Sequence, residues 1–294
     1  MKPKGTLLII GGAEDRGDDY IPKIAAKDAE FKRYEILNEL LPREKKAKIE
    51  LVTIGSDLSP KAKKNYKAAF IRIGYSNVGF INIGSRLEAQ EQEYLHRLQE
   101  ACAIFFSGGD QFQIATILGG TAIAELVKTR YYKEADFIVA GTSAGAMVMS
   151  SVMMAETSTD EAMLKNDLRT SGGFGLLEHC IIDTHFVRRG RFARLAHAIT
   201  VNPDKLGVGL GEDAALIIRK GTEAECRGSG MVVVIDGKGI RQTNIADTRD
   251  NCPVFVGNLK VDILISHCRF LLDKRMMQNP AIKPEVRKEQ FEPV

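Results

Sequence analysis

Cysteine is scarce in this chain of 294 residues. There are five, Cys102, Cys180, Cys226, Cys252 and Cys268, at wide spacings. No C-x-x-C pair occurs, so neither a zinc site nor a thioredoxin-like motif is supported, and an odd number argues against a fully paired disulfide framework. No cluster of His, Cys and Asp has ligand spacing, so no metal or cofactor is expected. A strong excess of one charge is also missing. The formal net charge of +3, from 41 basic and 38 acidic residues, is too small to point to nucleic acid. Long apolar runs are absent: none reaches the roughly 18–20 residues that cross a bilayer. The opening run Thr6 to Ile10 is too short for a signal-peptide core. A soluble, cytoplasmic protein is the expectation. There is no internal repeat and no low-complexity linker.

What is there is material for a packed core, with 44% hydrophobic and 27% charged residues. The first half alternates short apolar runs with amphipathic ones. Strands are expected at Leu7 to Ile10, Ile49 to Ile54, Val78 to Ile83, Ala103 to Phe106 and Phe137 to Ala140. Helices are expected at about Ile21 to Leu41, Ala62 to Ile73, Ala89 to Cys102, within Gln111 to Arg130 as one or two, and from near Ala144. Apolar strands separated by helices indicate βαβ units and a mostly parallel sheet covered on both faces. The second half reads as strand-rich, over Leu177 to Ile182, Ala214 to Arg219, Met231 to Ile235, Val254 to Val256 and Val261 to Ile265. Asp236-Gly237-Lys238-Gly239 is a hairpin signal. One α/β domain over residues 1–273 and an extended or mobile tail over 274–294 is the simplest organisation. Cys226, Cys252 and Cys268 are expected to be structural.

In a parallel sheet, sites form beyond the carboxyl ends of the strands. Gly11-Gly12, Gly108-Gly109-Asp110-Gln111 and Gly141-Thr142-Ser143 all fall there. Gly141-Thr142-Ser143-Ala144-Gly145 matches G-x-S-x-G directly after an expected strand and before a helix. A sharp strand-to-helix turn of this kind exposes a serine oxygen at a helix start. A tight turn with a capping serine is the bland alternative, and the flanking strand, helix and glycine loops favour a nucleophile.

Serine needs a base, and only five histidines exist: His96, His179, His185, His197 and His267. His185, just past an apolar strand, is preferred, with His267 the rival. A third group must orient the base. The Gly-rich stretch Leu206 to Gly211 leads to Glu212, the first choice, and Asp213, the second, although a polar turn before a strand is the commoner explanation of such a pair taken alone. The oxyanion hole would be formed by the Ala144 N–H and by the Gly109 or Asp110 N–H.

At these residues the sequence resembles the cyanophycinases, of the class I glutamine-amidotransferase-like fold. The matching pieces are Ile10-Gly11-Gly12-Ala13-Glu14-Asp15, Phe106 to Gln111, Gly141 to Ala146, Asp183-Thr184-His185-Phe186 with Arg189, Arg191 and Arg194, and Gly211-Glu212-Asp213. The resemblance implies a three-layer α/β sandwich and a serine peptidase with Ser143 as nucleophile, His185 as base and Glu212 as its partner. It implies a polyaspartate substrate carrying arginine on each side chain, released as β-aspartyl-arginine, and a homodimer. It also places Gln111, Arg189, Arg191 and Arg194 around the substrate, and Asp183 and Thr184, beside His185, are further candidate substrate contacts. Arginine forks suit the substrate carboxylates, and Glu14, Asp15, Asp110 and Asp183 are candidates to meet its guanidinium. Read without His185, the run Arg188 to Arg194 is a solvated basic face. One departure is Thr184, where the family commonly has glutamine, and it bears on substrate choice. Three alternatives stand beside this reading: an aspartyl dipeptidase of the same fold; an esterase using Asp236, Asp247 or Asp262 followed by His267; and a catalytically inactive binding protein.

Overall fold

The computed structural model describes residues 2–17, 28–44, 46–55, 58–155 and 163–278. In chain order the first half runs β1 Thr6–Ile10, α1 Glu35–Asn38, β2 Lys48–Ile54, α2 Pro60–Arg72 and β3 Val78–Ile83. It continues with α3 Gln92–Glu100, β4 Ala101–Phe106, α4 Gln111–Leu118, α5 Ala122–Lys133 and β5 Ile138–Thr142. The second half opens with α6 Ala144–Met147, β6 Val152–Met154, β7 Thr170–Gly172, β8 Cys180–Asp183, α7 Phe192–Val201 and β9 Leu206–Leu210. It closes with β10 Ala215–Arg219, β11 Glu223–Arg227, β12 Val232–Asp236, β13 Gln242–Thr243, β14 Val256–Gly257, β15 Lys260–Leu264, β16 Arg269–Leu271 and β17 Met276–Gln278.

Two sheets result. The larger has nine strands in the order β17-β16-β11-β10-β1-β5-β4-β2-β3. It is parallel from β1 through β5, β4 and β2 to β3. Antiparallel strands from the strand-rich half extend it on the other side of β1. Successive side chains of β1 point to opposite faces: Leu7 and Ile9 enter one hydrophobic cluster, Leu8 and Ile10 the other. All four are fully buried, each worth about 1.5–3 kcal/mol against exposure, which is why the strand reads as unbroken apolar sequence. One face is covered by α1 and α2, the other by α3 to α6 and the second sheet. Capping residues set the helix starts: Ser59 accepts from Ala62 N–H ahead of Pro60, and Asp110 accepts from Phe112 and Gln113 N–H.

The smaller sheet has the order β15-β12-β9-β8, with β8 and β9 parallel and α7 as their crossover. The glycine-rich run before Glu212 is therefore strand β9 and not a polar turn. Its glycines are there for close approach: a Cβ on Gly209 would lie 2.5 Å from the Phe186 ring.

Other expectations are corrected. Among the described residues of the expected helix Ile21 to Leu41, only Glu35–Asn38 is helical, and Ile21 to Lys27 lies outside the described residues. The Asp236–Gly239 turn forms, with Lys238 N–H on Asp236 Oδ1. The strand that pairs with β12 is however the more distant β15, while β13 pairs with β14. The ordered chain also passes Asp273, because β17 pairs with β16; the remainder of the expected tail, 279–294, lies outside the described residues. Among the described residues, no helix is long and apolar enough to cross a membrane.

Candidate active site

Three consecutive carbonyls at the carboxyl end of β1, from Ile10 to Gly12, tie the site together. Ile10 O accepts from Ser143 N–H at 3.0 Å, Gly11 O from His185 N–H at 2.9 Å, and Gly12 O from Asp213 N–H at 2.9 Å. The nucleophile candidate comes from the carboxyl end of β5 in the large sheet. His185 and Glu212 come from the carboxyl ends of β8 and β9 in the small one. Glu212 sits where the chain crosses from β9 to β10, that is, from one sheet to the other.

Ser143 has φ 53° and ψ −122°, a region that costs about 1–3 kcal/mol for a residue with a side chain. His185 and Asp213 also have positive φ, both 49°. The tight turn at Ser143 closes because Gly145 lies against Phe106 O, where a Cβ would come within 2.3 Å. The Ser143 carbonyl accepts from Ala146 and Met147 N–H, starting α6.

The side chains then line up. Ser143 Oγ is 3.0 Å from His185 Nε2, and His185 Nδ1 is 2.8 Å from Glu212 Oε1. With a proton on Nδ1 donated to Glu212, Nε2 is the acceptor for the serine hydroxyl, the arrangement of an activated nucleophile. Arg188 Nη1 donates to both Glu212 oxygens, at 3.1 and 3.0 Å.

Asp213, the second choice, faces elsewhere. It accepts from Asp15 N–H and from the Ser229 hydroxyl and N–H, and burial raises its carboxyl above the ordinary range. His267 contacts Arg227 and Glu35 and lines a different cavity, with Ser229 and Ile265. Asp236 is paired with Arg275 and Asp262 with Lys260, and among the described residues none of Asp236, Asp247 and Asp262 meets His267, so the esterase arrangement is not assembled.

Beside Ser143 lies a cavity of about 200 Å³ lined by Gly12, Glu14, Arg16, Leu58, Tyr66 and Ser107, among others. Glu14 is buried and accepts from the Tyr66 hydroxyl and, at 2.7 Å, from Thr142 Oγ1. Burial, reinforced by Glu14, holds the Tyr66 phenol well above its usual range, so it stays a donor. Arg16 stacks on the Tyr66 ring at 5.1 Å. Arg16, Tyr66 and Leu58 had no motif to mark them in the sequence. Gly108 borders Ser143 closely, with a built Cβ 3.3 Å from the serine Cβ, and Asp110 caps α4. Gly108 thus borders the serine side chain, and Ala144, next in the chain, is the first residue of α6.

The expected substrate contacts are placed differently. Asp183 is fully buried and takes both Arg194 Nε, at 2.7 Å, and Arg191 Nη1, at 3.2 Å. Arg194 is 7% exposed and Thr184 1%. Asp183, Thr184 and Arg194 are thus joined with Arg191 in one network on the segment that carries His185, and a buried carboxylate needs such partners. Arg191 also donates to Thr184 O. Gln111 uses its amide on Met154 and Ala155 carbonyls. Asp15 accepts from the Arg33 guanidinium and from Tyr34 N–H, while exposed Asp110 caps α4 through Oδ1. Arg189 is exposed. Among the described residues, no group of three or more His, Cys, Asp or Glu is arranged to hold a metal ion.

A serine, a histidine and a carboxylate in hydrogen-bonded series, at strand ends of an α/β sheet, are the equipment of a hydrolase working by acyl transfer. Comparison with known proteins gives the particular class. The sequence profile of peptidase family S51 matches residues 27–225, and the chain belongs to that family and is a serine peptidase. It is 31% identical over 283 residues to a cyanophycinase of Synechococcus elongatus, covering 96% of this chain and 83% of that one. A cyanophycinase of Geminocystis herdmanii is 28% identical over 267 residues, 89% of this chain and 91% of that one. Among solved structures, a peptidase from an acI-B1 Actinobacterium superposes with a TM-score of 0.61 at 20% identity, over 92% of this chain and 98% of that one. The fold is the class I glutamine-amidotransferase-like α/β fold, with a strand-rich C-terminal part.

Proposed function

We propose that the protein is a serine exopeptidase that hydrolyses cyanophycin to β-aspartyl-arginine, with Ser143 as nucleophile, His185 as general base and Glu212 as the group that orients it. The observation that carries this is the series Ser143 Oγ, His185 Nε2, His185 Nδ1, Glu212 Oε1, at 3.0 and 2.8 Å. Ser143 Oγ attacks a backbone aspartyl carbonyl while His185 Nε2 takes the hydroxyl proton. The tetrahedral oxyanion is received by Ala144 N–H and by Gly109 or Asp110 N–H. His185 returns the proton to the leaving amine, and water then releases the acyl group by the same route. Glu14 and Arg16 give the neighbouring cavity one acidic and one basic group, which suits a branch bearing a guanidinium and a carboxylate. Exposed Arg189 is the remaining member of the basic run to meet substrate from solvent. A cytoplasmic homodimer belongs to the same proposal.

A second reading, an aspartyl dipeptidase of the same fold, is favoured by one feature. The cavity beside Ser143, about 200 Å³, is sized for a single residue, and Asp183, Arg191 and Arg194 are engaged with one another instead of facing a polymer. Product analysis after incubation with cyanophycin, with Ser143→Ala in parallel, decides. Release of β-aspartyl-arginine by the wild type alone is the expected result. Ser143-dependent cleavage of Asp-X or isoAsp-X dipeptides without release from the polymer would replace the first reading by the second.

A further inference from the structure

We propose that Arg188 is a positioning residue for the hydrolytic relay: its guanidinium clamps the Glu212 carboxylate and through it fixes the His185 ring. This rests on the reading of Ser143, His185 and Glu212 as one relay. Arg188 follows His185 by three positions, and the intervening backbone is wound into successive turns, with Arg189 N–H on His185 O at 3.0 Å and Arg191 N–H on Phe186 O at 3.1 Å. Residues three apart on such a turn project to one side. The base and Arg188 therefore close on the same carboxylate. Glu212 Oε1 receives both His185 Nδ1 and Arg188 Nη1, and Oε2 receives the same Nη1.

The physical need is clear. Glutamate has three side-chain torsions to restrain, and a carboxylate that orients a base must itself be held. The neighbouring Asp213 shows what holding by backbone and hydroxyl donors looks like, with the Asp15 and Ser229 N–H groups and the Ser229 hydroxyl around it. Glu212 has a cation in that place. The Arg188 side chain is 62% exposed and that of Glu212 11%. A pair so placed adds little to stability, so its effect belongs to geometry at His185. Because one nitrogen makes both contacts, a lysine ammonium reproduces them in kind.

The test is the rate at which a fluorophosphonate labels Ser143 in the full chain, which reports nucleophile activation without a peptide substrate. It compares wild type, Arg188→Ala, Arg188→Lys, Glu212→Ala and the Arg188→Ala/Glu212→Ala double variant, with melting temperatures alongside. Glu212→Ala is expected to slow labelling about 100-fold or more. Arg188→Ala is expected to slow it about tenfold, the usual cost of losing a partner that orients a site group, at an unchanged melting temperature. Arg188→Lys should stay within about threefold of wild type, and Arg188→Ala should add nothing in the Glu212→Ala background. Wild-type labelling of Arg188→Ala beside a slowed Glu212→Ala would overturn the proposal and leave the relay standing. So would an equal loss in both backgrounds, or a loss matched by a fall in melting temperature. Wild-type labelling of Glu212→Ala would remove the relay itself, and the proposal with it.

Discussion

The cleft has two rims, and they hold their groups by different means. At the rim of the nine-stranded sheet Ser143 is placed by backbone: its N–H is on Ile10 O, its φ is positive, and Gly145 is pressed onto Phe106 O. At the rim of the four-stranded sheet His185 has a like backbone tie, with its N–H on Gly11 O and its φ positive, but the base and its partner stand on charge as well. Arg191 and Arg194 pair with buried Asp183 two residues before His185, and Arg188 reaches Glu212. Backbone placement demands glycine at fixed positions and so leaves a recognisable motif. Placement by charge leaves only a run of arginines, indistinguishable in sequence from a solvated face.

The comparison breaks most sharply at the nucleophile. On the proposed mechanism Ser143→Ala should lower kcat by about 10⁴-fold or more. Its backbone contacts are untouched, so the denaturant midpoint should stay at the wild-type value. Substantial remaining turnover would show that the serine rim is not where the chemistry occurs.

On the other rim the same kind of truncation should strike stability. Asp183→Ala leaves two guanidinium groups facing a buried gap, and breaking a buried pair from one side costs about 3–5 kcal/mol. Exposed Arg189→Ala should fall within about 0.5 kcal/mol of wild type. Urea unfolding of the two variants checks the contrast, and equal midpoints would refute a structural role for the cluster.

Gly12 joins the rims. It has φ 99°, and a Cβ there would sit 2.5 Å from both Cε1 and Nε2 of His185. Gly12→Ala should therefore push the ring off Ser143 and lower kcat/KM about 100-fold, since misplacement of about 1 Å has that cost. An unaffected kcat/KM would mean that the ring is not propped from this side.

These residues also show what the sequence could reveal. The parallel strands were legible because both faces of the sheet are covered, as the alternate burial of Leu7 to Ile10 between two clusters makes plain. Gly11-Gly12 and Gly141 to Gly145 were legible because their glycines answer a steric demand. β9 was not, because Gly207 and Gly209 serve packing against α7 and Phe186 and dilute the apolar signal of a strand. The pairing of Asp183 with Arg194, which removes both from solvent, is a tertiary fact that their places in the sequence do not show. Arg188 was passed over for the same reason: its partner lies on another strand's end, and spacing along the chain does not announce it.

The smallest expected effect separates two histidines on the same side of the comparison. His197 lies on α7 beneath the small sheet, 3% exposed. Burial lowers its pKa from the ordinary 6.5, with Asp167 opposing in part. The folded state thus binds a proton less readily than the unfolded one. The stability tied to this group is present above pH 6.5 and is lost as pH falls through 6.5. His197→Asn should flatten the fall in urea midpoint as pH drops below 6.5. The pH dependence of kcat/KM should keep its shape, because the group that meets Ser143 is His185 and not His197. An unchanged stability slope would show that the unfolding reaction takes up no proton at His197. A changed kcat/KM profile would show that the small sheet couples its support to the rim more tightly than hydrogen bonds at His185 and Glu212 account for.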